Sequence, residues 1–392
     1  MTPAARVQAA IEVLDEVIAA TQSNGPPADR LVADYFRQRR YAGSKDRRAV
    51  RELVYAAIRA CGPVPPSGRA ALLRLAELQP ELTELFDGSP HGPASAQPGE
   101  PIATGGLAPA WLEERLLASE ISGGEAAALL GRAPLDLRVN TLRAEPAALD
   151  LPLPGEPLLA PNALRYPAGT SVEQWEAYGD GLVEIQDHGS QWACLAAAVQ
   201  PGEMVIDLCA GAGGKTLALA AAMRNEGVLI ASDTDRRRLG QLPPRAERAG
   251  VRNLQTVLLN PTEELTALEA WHDTADLVLV DAPCSGTGTW RRSPELRWRL
   301  TPEALEKLVQ LEARLIDIAA ELVRPGGRVI YVTCSLLDDE GAEQVQVACT
   351  RRGDLQAVPL NLPIGQQRGG GARLTPAHDQ TDGFFIAQLE KA

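Results

Sequence analysis

Two cysteines stand where an α/β chain would present them to a ligand. Cys284 follows the apolar run 275–280 in Asp281-Ala-Pro-Cys-Ser285, and Cys334 follows the run 328–332 in Thr333-Cys-Ser335. Short apolar runs bounded by turn residues read as buried strands, so both thiols belong at strand ends. A thiolate there can attack an electrophilic ring while a second group manages protons. Each cysteine alone also has the plain reading of a small buried residue. Two of them beside a ligand loop favour chemistry.

That loop is 209–215, Cys-Ala-Gly-Ala-Gly-Gly-Lys, between the apolar run 204–208 and the Ala/Leu-rich run 216–223. The pattern reads as strand, tight turn, helix. Gly211, Gly213 and Gly214 allow positive φ and close backbone approach, and free amides at the helix start favour anionic or strongly polar groups. A phosphate loop would need a glycine at Cys209, and a dinucleotide fingerprint would need one at Thr216. The loop by itself therefore leaves the ligand open. Asp233 closes the next strand, where an acid can accept hydrogen bonds from ribose hydroxyls.

The elements that must position these residues alternate regularly. Strands are expected at 227–232, 254–259, 275–280 and 328–332, with helices over 234–249, broken by Pro243-Pro244, and over 305–322. Such alternation implies a doubly wound, Rossmann-like sheet that binds ligands at the carboxyl ends of its strands. A late strand at 383–389 reads as the edge of a hairpin. Upstream, Val7, Ile11, Leu14 and Ile18, then Val50, Val54 and Ile58, recur at helical spacing. Four regions follow: an all-helical bundle at 1–86, a mobile Pro/Gly-rich linker at 87–109, a small α/β domain at 110–181, and the doubly wound domain at 182–392.

With 392 residues, two or three domains with real cores are expected. No apolar run is long enough for a membrane span and no signal pattern opens the chain, which reads as cytoplasmic with no membrane partner. Six scattered cysteines without a C-x-x-C pair, and four histidines, give no metal site. A net charge of −13 argues against indiscriminate coating of nucleic acid. Yet residues 30–59 hold nine basic side chains against three acidic ones, among them Arg37, Arg39, Arg40, Arg47 and Arg48. Arg236, Arg237, Arg238, Arg245, Arg248 and Arg252 form a second cluster, and Arg291, Arg292, Arg297 and Arg299 a third. One cluster is ordinarily a solvated face; three in an acidic chain point to a polyanion.

Taken together, Asp207-Leu-Cys-Ala-Gly-Ala-Gly-Gly-Lys215, Asp281-Ala-Pro-Cys-Ser-Gly-Thr-Gly288 with Arg291-Arg292-Ser-Pro-Glu295, and Thr333-Cys-Ser335 with Glu340 resemble the RNA cytosine-C5 methyltransferases. Gln186-Asp187, 137–143 and Thr381-Asp-Gly-Phe-Phe385 extend the likeness over about 110–392, and the helical start is similar to the NusB-like RNA-binding domain of the bacterial ribosomal-RNA branch. The resemblance implies an enzyme that uses S-adenosylmethionine, seated on Cys209, Ala210, Gly211, Ala212, Gly213, Gly214 and Lys215. It implies Asp233 on the ribose, Asn260 near the adenine, and Asp281 near the donor's amino-acid or sulfonium end. Cys334 would add to cytosine C6 and Cys284 would assist release of the methylated base, with the target base unpaired or flipped. RNA, ribosomal RNA first, would be the partner of a monomeric enzyme, held by the arginines at 37, 39, 40, 47, 48, 291 and 292. Transfer RNA as substrate, or a non-catalytic ribosome-assembly role, are the alternatives. The loop departs from the family's usual Ala-Ala-Pro-Gly-Gly, Asn260 replaces a usual aspartate, and Gly341 replaces a usual asparagine.

Overall fold

The computed structural model describes residues 1–23 and 25–392, which form two compact units. The first comprises Met1–Gly131 with Trp290–Pro302, and the second Arg132–Thr289 with Glu303–Ala392. Among the described residues no helix is long and apolar enough to cross a membrane.

In the first unit, helices α1 (Pro3–Gln22), α2 (Ala28–Gln38), α3 (Ser44–Ala60) and α4 (Gly68–Leu78) pack around one apolar core. The residues at helical spacing in α1 and α3 are all buried, as the periodicity requires. Thr2 and Ser67 cap α1 and α4 by accepting amide hydrogen bonds. Gly68 lets α4 lie against α1: a Cβ there would come within 2.3 Å of the Ile11 carbonyl oxygen.

The stretch 87–109 contains neither helix nor strand, yet it is bound to the bundle. Ala103 N donates to Ala70 O at 3.1 Å, Gly62 N donates to Thr104 O at 3.0 Å, and Ala103 and Ala108 are buried. Proline and glycine exclude regular structure there, but alanines between them still dock. The expected free linker is thus part of the first unit, and so are the helices Ala110–Ala118 and Gly123–Ala128.

Segment Trp290–Pro302 is built into the same unit. Arg297 donates to the carbonyls of Ile58 at 2.6 Å and Cys61 at 2.7 Å, where α3 runs out of intrahelical partners. A cation at a helix C-terminus also meets the negative end of the helix dipole. Trp298 joins the core and donates to Gly62 O at 3.0 Å, and Arg299 donates to Gly25 O at 2.9 Å.

The second unit holds two sheets. Strands β1 (Leu135–Val139), β2 (Glu156–Pro157), β3 (Ala163–Tyr166) and β4 (Val183–Ile185) make an antiparallel sheet in the order β2-β3-β1-β4. Because Leu137 pairs with Ile185, an expected boundary at 181 cuts through this sheet. The large sheet contains β5 (Met204–Asp207), β6 (Val228–Asp233), β7 (Leu254–Leu258), β8 (Ala275–Asp281), β9 (Val323–Thr333), β10 (Leu355–Val358), β11 (Gln366–Arg368), β12 (Gly371–Leu374) and β13 (Phe384–Lys391). Its order is β11-β12-β13-β9-β8-β5-β6-β7, with β10 also on β13.

Strands β5 to β9 run parallel, and chain order reverses between β5 and β8, the place where such sheets open a ligand crevice. β13, expected at a hairpin edge, lies inside the sheet: antiparallel to β9 on one side, with β12 and β10 along the other. Pro243-Pro244 splits the expected long helix into Arg236–Leu239 and Leu242–Ala249 by opening the second one, where proline costs no hydrogen bond.

Candidate active site

Asp207, Asp233 and Asp281 are the last residues of β5, β6 and β8, and Cys284 and Cys334 lie just beyond the ends of β8 and β9. Register places Asp207 opposite Leu279 of β8, and Asp281 opposite Val332 of β9. The thiols of Cys284 and Cys334, fifty residues apart, come to 3.4 Å between sulfurs.

The glycine loop leaves β5 and enters the helix Gly214–Ala222. Gly213 has φ +88°, and a Cβ on it would stand 2.1 Å from Leu242 Cδ1; Gly211 has φ +55° with Arg238 Nη2 2.5 Å away. Both positions favour glycine on conformation, and Gly213, against buried Leu242, on space as well. Gly211 N donates to Asp233 Oδ2 at 2.7 Å, and Asp235 N donates to Asp233 Oδ1 at 2.7 Å. Asp233 therefore holds its own end of the crevice together, and loss of its carboxylate would disturb the loop as well as any ribose contact. The carbonyl of Ala212 accepts from Arg245 Nη1 at 2.7 Å, and Arg245 is paired with buried Glu184 of β4.

Charge in the crevice is arranged unevenly. Thr216 Oγ1 donates to Asp207 Oδ2 at 2.6 Å, while Asp207 Oδ1 is buried without a hydrogen-bond partner. Burial pushes the Asp207 carboxyl up to about 7. Cys209 is pushed well above the ordinary thiol value, first by burial and then by the surrounding acids, which makes it an inert member of the loop. Lys215 Nζ pairs with Asp281 Oδ2 at 2.7 Å and stands 5.6 Å from the centre of the Phe384 ring. Burial works against the Lys215 charge, but Asp281 first, with Cys194 and Cys334 behind it, leaves the ammonium favoured. Cys284 is pushed well above its ordinary value, by its hydrogen bond with Cys334 first and by burial second. The Cys284 thiol therefore keeps its proton at neutral pH.

Backbone packing fixes the cysteine loops. Gly288 N donates to Cys334 O at 2.9 Å, and Gly383 N donates to Gly288 O at 2.8 Å. A Cβ on Gly288 would lie 2.2 Å from the Gly383 carbonyl oxygen, so the two loops and the entry to β13 meet backbone to backbone. The third layer of contacts was not assigned from the sequence. Ser285 donates its amide to Glu340 Oε1 at 2.6 Å and its hydroxyl to Glu340 Oε2. The signal was present in part, because Ser285, Ser335 and Glu340 all lie in the motifs that carried the resemblance.

The remaining expected residues lie apart from this centre. Asn260 is exposed just beyond β7, one strand from Asp233, whose carbonyl accepts from Leu259 N at 2.9 Å. Arg37, Arg40, Arg47 and Arg48 are exposed around the turn from α2 to α3 in the first unit. Arg39 is half-buried, stacked 3.6 Å over the Tyr35 ring and paired with Glu12 at 3.3 Å. In the third cluster Arg292 is exposed but Arg291 is buried, and Arg297 and Arg299 serve the carbonyls described above. Arg297 and Arg299 of this cluster, read with the rest as pointing to a polyanion, are instead engaged with backbone carbonyls of the first unit, because a guanidinium can satisfy several at once. Arg245 and Arg248 of the second cluster are likewise spent on Glu184.

The model of the family described as 16S rRNA methyltransferase RsmB/F matches residues 194–390, half of the chain. The ribosomal RNA small subunit methyltransferase B of Xanthomonas campestris pv. campestris is 34% identical over 296 residues, covering 72% of this chain and 66% of that protein. The protein of the same name from Xylella fastidiosa strain Temecula1 is 33% identical over 296 residues, covering 72% and 67%. The chain spans about two thirds of the length of these relatives. The solved structure of PH0851 is 25% identical with a TM-score of 0.76, covering 100% of this chain and 99% of that one. With its glycine loop, both cysteine loops and nearly all of β13 inside the matched stretch, the chain belongs to the 16S rRNA methyltransferase RsmB/F family.

Proposed function

We propose that this chain transfers a methyl group from S-adenosylmethionine to C5 of a cytosine in RNA, through a covalent adduct between Cys334 and C6. The observation that carries the reading is the thiol pair, 3.4 Å apart at the ends of β8 and β9, beside the Lys215–Asp281 pair. The names of the relatives, ribosomal RNA small subunit methyltransferases, support ribosomal RNA as the substrate.

The crevice suits a donor that is cationic at its sulfonium and amino groups. Asp207 Oδ1 is buried and lacks a partner, which favours an incoming hydrogen-bond donor or cation. A Cβ on Gly214 would meet nothing within 4 Å, so the start of the helix is open to a ligand. When bound, S-adenosylmethionine supplies an electrophilic methyl group.

This chain's residues supply the rest. Addition of the Cys334 thiolate to C6 makes C5 of the cytosine nucleophilic. The Lys215 ammonium, held by Asp281 at 2.7 Å, places a positive charge in the same crevice. Cys284, 3.4 Å from that sulfur and protonated at rest, takes the C5 proton after its own has passed to solvent, and loss of the C5 proton lets the C6–S bond break.

The two thiols separate in a direct experiment on RNA with tritium-labelled donor. Cys334→Ala abolishes transfer and forms no protein–RNA adduct. Cys284→Ala still attacks and methylates but releases slowly, so it accumulates an adduct that survives denaturing electrophoresis. An adduct with Cys334→Ala and none with Cys284→Ala reverses the roles, and absence of tritium transfer by the wild-type chain sinks the reading.

A further inference from the structure

Behind the cysteine loops lies a buried group of side-chain oxygens that the steps above do not use. Ser285 adjoins Cys284, and Ser335 adjoins Cys334. Their hydroxyl oxygens are 3.2 Å apart, and Ser335 Oγ is 3.1 Å from Thr287 Oγ1. The amides of Leu336 and Leu337 donate to Thr287 Oγ1 at 2.8 Å and Ser335 Oγ at 3.1 Å. Through Ser285 this network ends on the carboxyl of Glu340, which interacts with Ser335 as well. One carboxylate thus ties the loop of each thiol to the other.

Glu340 is itself approached by a second acid. Glu312 lies on the helix Pro302–Leu322, where buried Leu305, Leu315, Ile316 and Ala319 form the apolar stripe. It occupies a stripe position and is fully buried, an expensive place for an acid with no task. Gln344 Nε2 donates to Glu312 Oε2 at 3.4 Å, and Oε1 has no donor. Two adjoining carboxyls in an apolar interior cannot both ionise, so one proton is shared between them. Burial first, and Glu340 second, push the Glu312 carboxyl far above the carboxylate range, and burial raises Glu340 too, so the pair keeps a proton. A protonated Glu312 is then a hydrogen-bond donor to Glu340.

We propose that Glu312 and Glu340 are positioning residues for the thiol pair: Glu312 holds Glu340, and Glu340 sets the spacing of Cys284 and Cys334 through Ser285 and Ser335. The role assigned to that spacing rests on the covalent methyl-transfer reading; the spacing itself does not.

The test uses the full-length chain and dibromobimane, which becomes fluorescent when it bridges two neighbouring thiols, with Cys284→Ser and Cys334→Ser to assign the signal. Glu312→Gln keeps an amide donor for Glu340 and should cross-link and turn over like the wild type. Glu312→Leu removes the donor and should slow cross-linking and lower kcat by about tenfold or more, with the KM for donor unchanged, as expected for a small misplacement of reacting groups. Ser335→Ala breaks the link from the other side and should act in the same direction if Glu312→Leu fails to fold. Folded Glu312→Leu or Ser335→Ala protein that cross-links and turns over at wild-type rates overturns the proposal. So does a Glu312→Gln chain as impaired as Glu312→Leu. If the wild-type and variant cross-linking rates differ as stated but no methyl group reaches RNA, the functional reading fails and the spacing inference stands.

Discussion

Asp207 shows how one side chain can record what the crevice is built to receive. Its carboxyl is buried, Thr216 satisfies one oxygen, and nothing satisfies the other. A carboxylate so placed is costly until a donor or a cation arrives. The cost has a pH signature. In the unfolded chain the group titrates near 4, whereas in the fold burial raises it to about 7. Between those values the folded state binds more protons than the unfolded one, so ligand-free stability falls as pH rises through this window. Asp207→Asn should remove that loss, at most about 1.4 kcal/mol per pH unit. Melting temperatures of both proteins from pH 5 to 9 check it: the variant should gain on the wild type up to about pH 7 and then run parallel. A constant difference across the range would mean that Asp207 is ionised throughout.

Elements were legible where burial is continuous. The strand runs before Asp207, Asp281 and Cys334 are apolar because helices cover both faces of a parallel sheet, and their ends could be read from the punctuation that follows. Strands β10, β11 and β12 were missed because they are three or four residues long and only partly apolar. The docking of 87–109 was missed because turn-rich composition reports the lack of helix and strand, and says nothing of whether alanines between turns find a core. Glu312 was passed over inside a well-formed helix, although an acid on an apolar stripe is itself a signal. At the glycine loop the structure refines the sequence reading position by position. Gly211 and Gly213 are favoured by the ligand-free fold, but Gly214 is not, since its added Cβ would touch nothing. Alanine at 214 should therefore leave stability unchanged or slightly improved, as glycine is the poorer helix former. If the donor approaches the backbone there, calorimetry should find Gly214→Ala binding S-adenosylmethionine about tenfold more weakly, roughly 1.4 kcal/mol. Unchanged affinity would move the donor away from this end of the loop.

Across the whole molecule, the distribution of arginines matters more than their number. The chain is strongly acidic, and much of its apparent basic surface is internal: Arg297 and Arg299 finish helices α3 and α1, and Arg245 and Arg248 sit on Glu184. Removing Arg297 would strand the Cys61 carbonyl inside the first unit, at about 1–3 kcal/mol for a buried group left unsatisfied, and leave Ile58 O with the Cys61 amide at 3.2 Å. On the surface of that unit, the turn from α2 to α3 exposes Arg40, Arg47 and Arg48 together, with Arg37 paired to Asp34 at 2.7 Å. Asp46, the acid nearest to them in sequence, is turned to the amino terminus at 3.1 Å and to Arg6. This turn is therefore more positive than its composition suggests, and it is the place in the first unit best suited to phosphates. Cations that meet phosphates release counterions, so each lost contact should reduce the slope of log affinity against log salt by about 0.7 to 0.9. Replacing Arg40, Arg47 and Arg48 together by Glu should weaken RNA binding, flatten that slope by roughly two units, and leave S-adenosylmethionine binding untouched. Arg39→Glu belongs in the same series as a contrast: its partners are Tyr35 and Glu12, so it should lower the melting temperature of the helical unit more than it changes the slope. An unaltered slope in the triple variant would return this turn to an ordinary solvated surface.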